Sequence, residues 1–554
     1  MRTFLTIVLS AVGGLLLLVG GAVAVVVGPD DTASLPADEV PSPSGVALTA
    51  FDMFPVRDLT LHVEATSAGG PVFLGTAHPV DGRDYVRGVA ASWVRGVDRT
   101  GTLRTDAIEG ELDAPEVDPT AATFWTDSAS GDGTQALDVR LADEPVSFVV
   151  APQGGPAATT LAFGVLVPRS FVAALGVAAV GALLVAGAVL VRRRRVRTEG
   201  PPAVATSRAG TSTGPEPEPV GATRPAAARP TFTRTAVLGA GVAVALTACT
   251  PLPSAVEHPS APARIAADED EIAAALASYG ERRTAASALA SQLDASGWAA
   301  SDTDGLLALL QFRTTLAAAR GEAPTATTVT YSALDAAVPQ FTSYPMWFVA
   351  LLEPTTDGTP GENPQIRVFE RDRATAPWRA SLALEVPADT VALPAPGAAS
   401  VATPEQVAAG LAGVELLRSH LETGAEVGVE LGELADARGS FLGNDLEGKL
   451  VVDLAQVTVF GAPEDPTAPG GPVQVVPVDG GVLVTSTLSL TFNQRMEAGW
   501  TVSLTDDALA QATGQTGERQ NIRASGVVQS VLLVPDDTAP RVLAASWSFL
   551  APSA

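Results

Sequence analysis

The sequence predicts a multi-domain membrane protein with transmembrane helices, an all-β (sandwich-like) outer domain and two α+β domains at the C-terminus. Three observations lead to this fold class: apolar residues gathered in blocks, short alternating β-branched runs, and a helix-then-strand order that occurs twice. The 554 residues exceed the roughly 100–200 residues that one domain usually organises. The mean hydropathy is +0.25 although 17% of residues are charged, so the apolar residues are concentrated in segments.

Two apolar segments are long enough to cross a membrane. Residues 3–28 exceed the ~20 residues that a spanning helix needs. A cleavable signal peptide is the rival interpretation, but this run is longer than a usual signal core and ends without a small-residue cleavage site. Residues 170–191 form the second predicted span, and a cytoplasmic end is indicated by the arginines that follow it, Arg192, Arg193, Arg194, Arg195 and Arg197.

A third apolar segment, residues 235–250, follows a basic linker. The linker, residues 192–234, is rich in Pro, Ser, Thr and Gly, a composition that predicts a disordered cytoplasmic segment. The resulting topology places the N-terminus inside, residues 29–169 outside, the linker inside and the C-terminal region outside. The protein is therefore expected in a cell membrane, with its main domains extracytoplasmic.

Near its end, the third apolar segment contains Leu246, Thr247, Ala248 and Cys249, and the last of these is the chain's single cysteine. The four residues resemble the lipobox of bacterial lipoproteins. The resemblance implies that the Cys249 thiol is diacylated and that a peptidase cuts the Ala248–Cys249 bond. A lipobox belongs near an N-terminus, however, and here 248 residues precede the cysteine. The alternatives are a fusion of a membrane protein with a lipoprotein, or a third transmembrane helix in which Cys249 is an ordinary small residue.

Residues 29–169 contain alternating runs separated by Gly, Pro, Asp and Ser clusters, as in β-sandwiches. Phe124 and Trp125, followed by the Ser/Gly-rich residues 128–137, resemble a pattern in actinobacterial two-span membrane proteins of unassigned function, over residues 1–197. Residues 128–134 are predicted to form a hairpin turn, because the lysine of a phosphate-binding loop is missing. The preference for arginine over lysine also indicates a GC-rich, actinobacterial genome.

Two α+β domains are predicted at residues 265–395 and 400–554. In the first domain, helices are expected from Asp268 onward and over residues 306–319. In the second, a helix is expected over residues 404–421, and in each domain several strands follow the helices. The last two strands should form a hairpin around residues 536–540. This element order resembles a tandem of NTF2-like domains, a fold that hosts enzymes, binding pockets and inert scaffolds alike.

The sequence offers no catalytic constellation, metal site or cofactor motif. A net charge of −27 argues against nucleic acid, which requires a basic surface. Asp302 or Asp304 is predicted as a helix N-cap and not as the start of a calcium loop, which would need later acidic ligands. Buried core positions are predicted for Trp347, Phe348 and Trp378. No zinc-ligand spacing is formed by the histidines, His62, His78, His258 and His420.

The expected function is that of a non-enzymatic cell-envelope membrane protein whose extracytoplasmic domains bind or position a partner. The membrane itself, another envelope protein and a cell-wall polymer are the expected partners. The alternative is a small-molecule or lipid-binding pocket, or an enzymatic one, inside a C-terminal NTF2-like domain. A cavity with converging polar groups would favour this alternative.

Overall fold

A computed structural model describes residues 2–54, 56–98, 100–198, 254–255, 262–387, 392–394, 401–442, 449–468 and 470–550. The chain forms two compact units. Unit 1 comprises residues 1–77, 88–120 and 125–258, and unit 2 comprises residues 78–87, 121–124 and 259–554. Unit 2 is therefore built from three separate segments of the chain.

The α-helices of the described residues fall in both units. They are α1 (Arg2–Val27), α2 (Pro79–Tyr85), α3 (Ser170–Thr198), α4 (Glu269–Ala290), α5 (Asp304–Arg320), α6 (Pro404–Thr423), α7 (Ala437–Leu442) and α8 (Asp507–Ala512). Short 3₁₀ helices lie at Pro119–Ala121, Ser296–Ala300 and Gly432–Asp436.

The strands of unit 1 are β1 (Thr32–Ser34), β2 (Asp38–Glu39), β3 (Ala47–Thr49), β4 (Val56–Arg57), β5 (Leu59–Ser67), β6 (Val72–Ala77), β7 (Ala91–Val97), β8 (Leu103–Ile108), β9 (Asp127–Gly131), β10 (Gln135–Leu141), β11 (Ser147–Pro152), β12 (Thr159–Leu166) and β13 (Ser254–Ala255). Those of unit 2 are β14 (Arg264–Ile265), β15 (Val329–Ala337), β16 (Gln340–Phe341), β17 (Met346–Thr356), β18 (Thr359–Pro360), β19 (Gln365–Arg371), β20 (Arg379–Glu385), β21 (Leu450–Val459), β22 (Val473–Val478), β23 (Gly481–Met496), β24 (Asn521–Pro535) and β25 (Arg541–Leu550).

Helices α1 and α3 are long and apolar enough to cross a membrane, over Thr6–Val27 and Ser170–Arg193. They approach each other closely through glycines. A Cβ atom on Gly20 would lie 2.6 Å from the backbone nitrogen of Ala178, and one on Gly181 would lie 2.5 Å from that of Leu17. Small residues at such positions let two helix backbones come into contact, as is typical of helix pairs in membranes.

Asp31 joins the end of α1 to the start of α3. Its side chain accepts hydrogen bonds from the backbone nitrogens of Phe171 and Arg169, each at 2.8 Å. These bonds satisfy amide groups that a helix N-terminus leaves without partners. The backbone hydrogen bond from Phe171, followed by that from Arg169, lowers the pKa of the Asp31 carboxyl.

Two larger sheets make up the β-rich part of unit 1. One has the strand order β1-β12-β5-β10, with β2 beside β12, and the other has the order β8-β7-β3-β11-β6-β9. Buried side chains from both sheets form one apolar cluster that includes Val63, Leu74 and Phe163. The hairpin predicted at residues 128–134 is wrong, because β9 pairs with β6 while β10 pairs with β5. The turn instead carries the chain from one sheet to the other.

The first α+β part of unit 2 packs α4 and α5 with the sheet β15-β17-β19-β20. The predicted helix start is confirmed: Asp268 and Glu271 form a capping box. Trp347, Phe348 and Trp378 are buried as predicted. The prediction that Asp302 or Asp304 is the N-cap is wrong, because Thr303 occupies the N-cap position of α5.

The second α+β part packs α6 with the sheet β21-β23-β24-β25. The predicted helix over residues 404–421 is confirmed within α6, which ends at Gly424 in the left-handed conformation. The predicted hairpin is confirmed as well, since β24 pairs with β25 in antiparallel register. Val476 and Val527 from this part lie in the same buried cluster as Leu306 of the first part.

The fold class predicted from sequence is therefore confirmed at the level of two apolar, span-length helices and several β-sheets distributed over more than one compact unit. The basic linker and the third apolar segment lie outside the described residues, apart from the end of α3.

Candidate functional site

A cavity of about 340 Å³ lies in the second α+β part of unit 2. Its walls come from α7, from α8 with the segments beside it, and from the facing strands β23, β24 and β25. The lining residues are Ser440, Phe441, Leu442, Gln494, Val502, Ser503, Leu504, Thr505, Leu509, Thr513, Gln515, Ile522, Arg523, Ala524, Ser525, Phe549 and Leu550.

Phe441 on α7 forms the inner wall of the cavity. Its ring packs edge-on against Phe549 at 4.9 Å, and in a tilted arrangement against Trp547 at 5.5 Å, between centroids. The ring lies so close to β24 that a Cβ atom on Gly526 would fall 2.2 Å from it. Glycine is therefore required at position 526 for α7 to reach the sheet. Gln494 fixes α7 further by donating a hydrogen bond of 3.0 Å to the Phe441 carbonyl.

The opposite wall is held by backbone capping. Asp506 accepts a hydrogen bond of 3.0 Å from the backbone nitrogen of Leu509 and so caps α8. The Gln515 side chain then bridges to β24: it donates to the Arg523 carbonyl at 2.7 Å and accepts from the Arg523 amide at 2.8 Å. Each wall is therefore held in place by a glutamine, Gln494 or Gln515, whose side chain hydrogen-bonds main-chain atoms.

The lining offers binding chemistry and no acid–base pair. Arg523 is the one charged side chain among the lining residues, and they include no Asp, Glu, His, Cys or Lys. A serine or threonine hydroxyl there has no neighbouring general base within the lining, which nucleophilic catalysis requires. Ser525 Oγ is buried and has no hydrogen-bond partner among the described residues. The lining is therefore mainly apolar and polar-uncharged, and it includes one buried hydroxyl that has no partner among the described residues.

Ser525 and Ser530 on β24 can be compared directly. Both hydroxyls are buried, but the Ser530 hydroxyl forms a hydrogen bond of 2.8 Å with Ser486 Oγ. We predict that Ser530→Ala destabilises the full chain by about 1 kcal/mol, whereas Ser525→Ala is neutral or stabilising, since it removes an unpartnered buried hydroxyl. Thermal unfolding of both variants in lipid nanodiscs measures the difference. Equal losses from the two substitutions would contradict the assignment of Ser525 as unpartnered.

The first α+β part contains a network of hydrogen-bonded polar side chains around the buried Asp302. Asp302, which is fully buried, accepts hydrogen bonds from Tyr279 at 3.0 Å and from Arg283 at 2.8 and 2.9 Å. Arg367 donates to the Tyr279 hydroxyl and to Gln365 Oε1. Burial, which exceeds the opposing effect of Arg367, raises the pKa of the Tyr279 hydroxyl and keeps it neutral. These groups satisfy one another and serve the packing of this part.

Glu370 is a buried carboxyl beside a second carboxyl. Its side chain contacts Ser381 and Asp304, and its Oε1 atom has no hydrogen-bond partner among the described residues. Burial first, and the neighbouring Asp304 second, raise the pKa of Glu370 from 4.5 to about 8. Burial also raises the pKa of Asp304. The pair therefore retains a proton near neutral pH.

The raised pKa of Glu370 gives stability a defined pH dependence. The protonated carboxyl stabilises the fold fully below its unfolded pKa, near 4.5, and this contribution is lost as pH rises towards 8. We predict that Glu370→Gln, which mimics the protonated form, increases the free energy of unfolding at pH 8 by on the order of 2 kcal/mol and changes it little at pH 4. Denaturant titrations at both pH values measure this.

The exposed carboxyl of Glu362 serves as the control for that experiment, since Glu362→Gln should leave the difference between pH 4 and pH 8 nearly unchanged. An equal gain from Glu370→Gln at the two pH values would contradict the raised pKa of Glu370 in the folded chain.

The residues singled out from sequence do not line the cavity. Arg192 and Arg193 are exposed near the end of α3, which continues through Arg194, Arg195 and Arg197 to Thr198. The proposed lipobox, Leu246, Thr247, Ala248 and Cys249, lies outside the described residues. Within the described part of the chain, no group of three or more His, Cys, Asp or Glu side chains is arranged to hold a metal ion.

Sequence reasoning missed the cavity because its walls are mostly apolar and polar-uncharged residues from five separate segments, with no motif among them. It also missed α2, although His78-Pro79 followed by Asp81 carries the residues of a helix start. Only a possible turn or two was expected, over residues 84–94, where the structure has the end of α2 and the strand β7.

A scan against protein-family models matches none of them, and a search of curated proteins finds no relative of this chain.

Proposed function

We propose that the protein is a non-enzymatic, integral cell-envelope protein whose last α+β domain binds an uncharged, largely apolar small molecule. The ligand is an acyl or aromatic group that carries one hydrogen-bonding atom for the Ser525 hydroxyl. The cavity beneath α7 is the observation on which this proposal rests. Its volume of about 340 Å³ falls at the lower end of the ~300–1,000 Å³ typical of small-molecule pockets.

The absence of acidic and histidine side chains from the described lining favours binding over catalysis. The two α+β parts support the expected NTF2-like tandem by their element order, and the two larger sheets of unit 1, with their common buried cluster, support a sandwich. An envelope protein or a cell-wall polymer is then the partner of the outer surface, and the apolar molecule is the ligand of the cavity.

Membrane insertion is supported by α1 and α3 together with the set of chain segments that make up unit 2. Residues 78–87 and 259–554 belong to one compact unit, so they lie on the same side of a membrane. Helix α3 falls between them in the chain and accounts for one crossing. A second crossing is then required after α3, and residues 235–250 are the apolar segment available for it. An internal lipoprotein signal with lipidated Cys249 satisfies the same requirement.

The ligand proposal is tested with 4-fluorobenzyl alcohol, a water-soluble probe with an apolar ring and one hydroxyl. Fluorine-19 NMR line broadening is measured with the full chain in lipid nanodiscs and with empty nanodiscs. We predict saturable binding to the chain. Ser525→Leu, which fills the cavity, should abolish it, and Ser525→Ala should weaken it about 2- to 10-fold through loss of one hydrogen bond.

Ser546→Leu is the matched control, since Ser546 is half-buried on β25 and does not line the cavity. It should retain the binding seen in the unsubstituted chain. Equal binding by the Ser525→Leu chain, or no saturable binding by the unsubstituted chain, would overturn the proposal.

A further inference from the structure

Helix α2 is a short segment whose formation is directed by its own first residues. His78 is the N-cap, and its Nδ1 atom accepts a hydrogen bond of 3.3 Å from the backbone nitrogen of Val80. Pro79 occupies a position that is favourable for proline, in the first turn of the helix, and Asp81 lies in the same turn. Burial, followed by the nearby Arg264, lowers the pKa of His78 to about 4, so the imidazole is neutral and able to accept this bond.

The polar side of α2 is bound by residues from beyond position 259. Asp81, which is only 1% exposed, accepts hydrogen bonds from the Arg264 guanidinium and, at 2.7 Å, from the Tyr344 hydroxyl. Burial raises the pKa of Asp81, while Arg264 and Tyr344 act in the opposite direction. Arg264 also donates to Glu271 at 2.6 Å, so its charge faces two carboxylates.

A second carboxyl of α2 repeats this pattern one turn later. Asp84 is also buried, and its Oδ2 atom accepts a hydrogen bond of 2.7 Å from the backbone nitrogen of Ala374. The Asp84 carbonyl accepts another, of 3.2 Å, from Arg373. Side-chain and main-chain atoms of α2 therefore both have partners in the segment that follows β19.

The apolar side of α2 contributes to the core of unit 2. Val80 belongs to the main buried cluster of the unit, together with residues such as Ile272 and Phe348. Tyr85 packs on Phe124 at 5.6 Å between ring centroids, and Phe124 in turn packs against the same cluster. The two short segments of unit 2, residues 78–87 and 121–124, thus meet each other and the core.

We propose that α2 is a docking element. It holds residues 259–554 to the part of the chain before residue 199 even after the covalent connection between these two parts is cut. A cut anywhere within residues 199–253, including one at Ala248–Cys249, then yields two products that stay associated. The partner of the C-terminal product is the protein's own N-terminal product. The reason is electrostatic as well as apolar: on separation Asp81 loses both Arg264 and Tyr344, Arg264 keeps only Glu271, and the separated groups must be rehydrated.

The experiment replaces residues 210–216 of the full chain with the recognition sequence of a site-specific protease. The chain carries a tag at each end, is purified intact in mild detergent, is cut, and is then recovered through the N-terminal tag. The amount of C-terminal product in the eluate is read by immunoblot. The expected result is co-elution of nearly all of it. Recovery of the C-terminal product in the unbound fraction would overturn the proposal.

Variants separate docking through α2 from association of apolar helices in the micelle. Asp81→Asn keeps the size of the side chain but removes the charge that faces Arg264, and it should reduce co-elution at least about fivefold. Tyr344→Phe removes one hydrogen bond and should reduce it less. Asp113→Ala alters an exposed carboxyl and should change nothing. Full co-elution of the Asp81→Asn and Tyr344→Phe chains would show that other contacts hold the products, and the proposal would fail.

Discussion

The buried ion pair between Asp81 and Arg264 is the interaction on which the organisation of unit 2 depends. An ion pair taken out of water is costly unless further hydrogen bonds satisfy both groups. Here Tyr344 supplies one to Asp81, and Glu271 accepts one from Arg264. Glu271 also accepts from the backbone nitrogen of Asp268 in the capping box of α4. One network therefore connects α2, β14, the start of α4 and the segment before β17.

This network joins residues that lie on either side of α3 in the sequence, and it constrains the membrane topology proposed above. A single crossing at α3 would place Asp81 and Arg264 on opposite faces, where they could not pair. If α3 spans a membrane, as proposed above, the pairing and the inclusion of both residues in unit 2 require an even number of crossings between Asp81 and Arg264. The arginines at the end of α3 and the apolar residues 235–250 agree with this requirement.

Sequence patterns were reliable where local chemistry decides the outcome. The acidic first turn after Asp268 marks a helix because capping is a local interaction. Patterns failed where tertiary contacts decide: the turn near residue 132 looks like a hairpin, yet its two strands join different sheets. Likewise, nothing near Asp81 in the sequence reveals that its partner is 183 positions away. The cavity beneath Phe441 depends on the close approach of Gly526, which the sequence does not indicate.

Hydrogen–deuterium exchange of the full chain in nanodiscs tests most directly whether residues 78–87 fold as part of unit 2. Peptides that cover residues 78–87 should exchange as slowly as those from α4. The Arg264→Met substitution leaves Asp81 buried without its arginine partner. Peptides from residues 78–87 and peptides from α4 should then exchange faster together, while the exchange of peptides from β5 remains unchanged. Rapid, loop-like exchange of residues 78–87 in the unsubstituted chain, unaffected by Arg264→Met, would contradict the account.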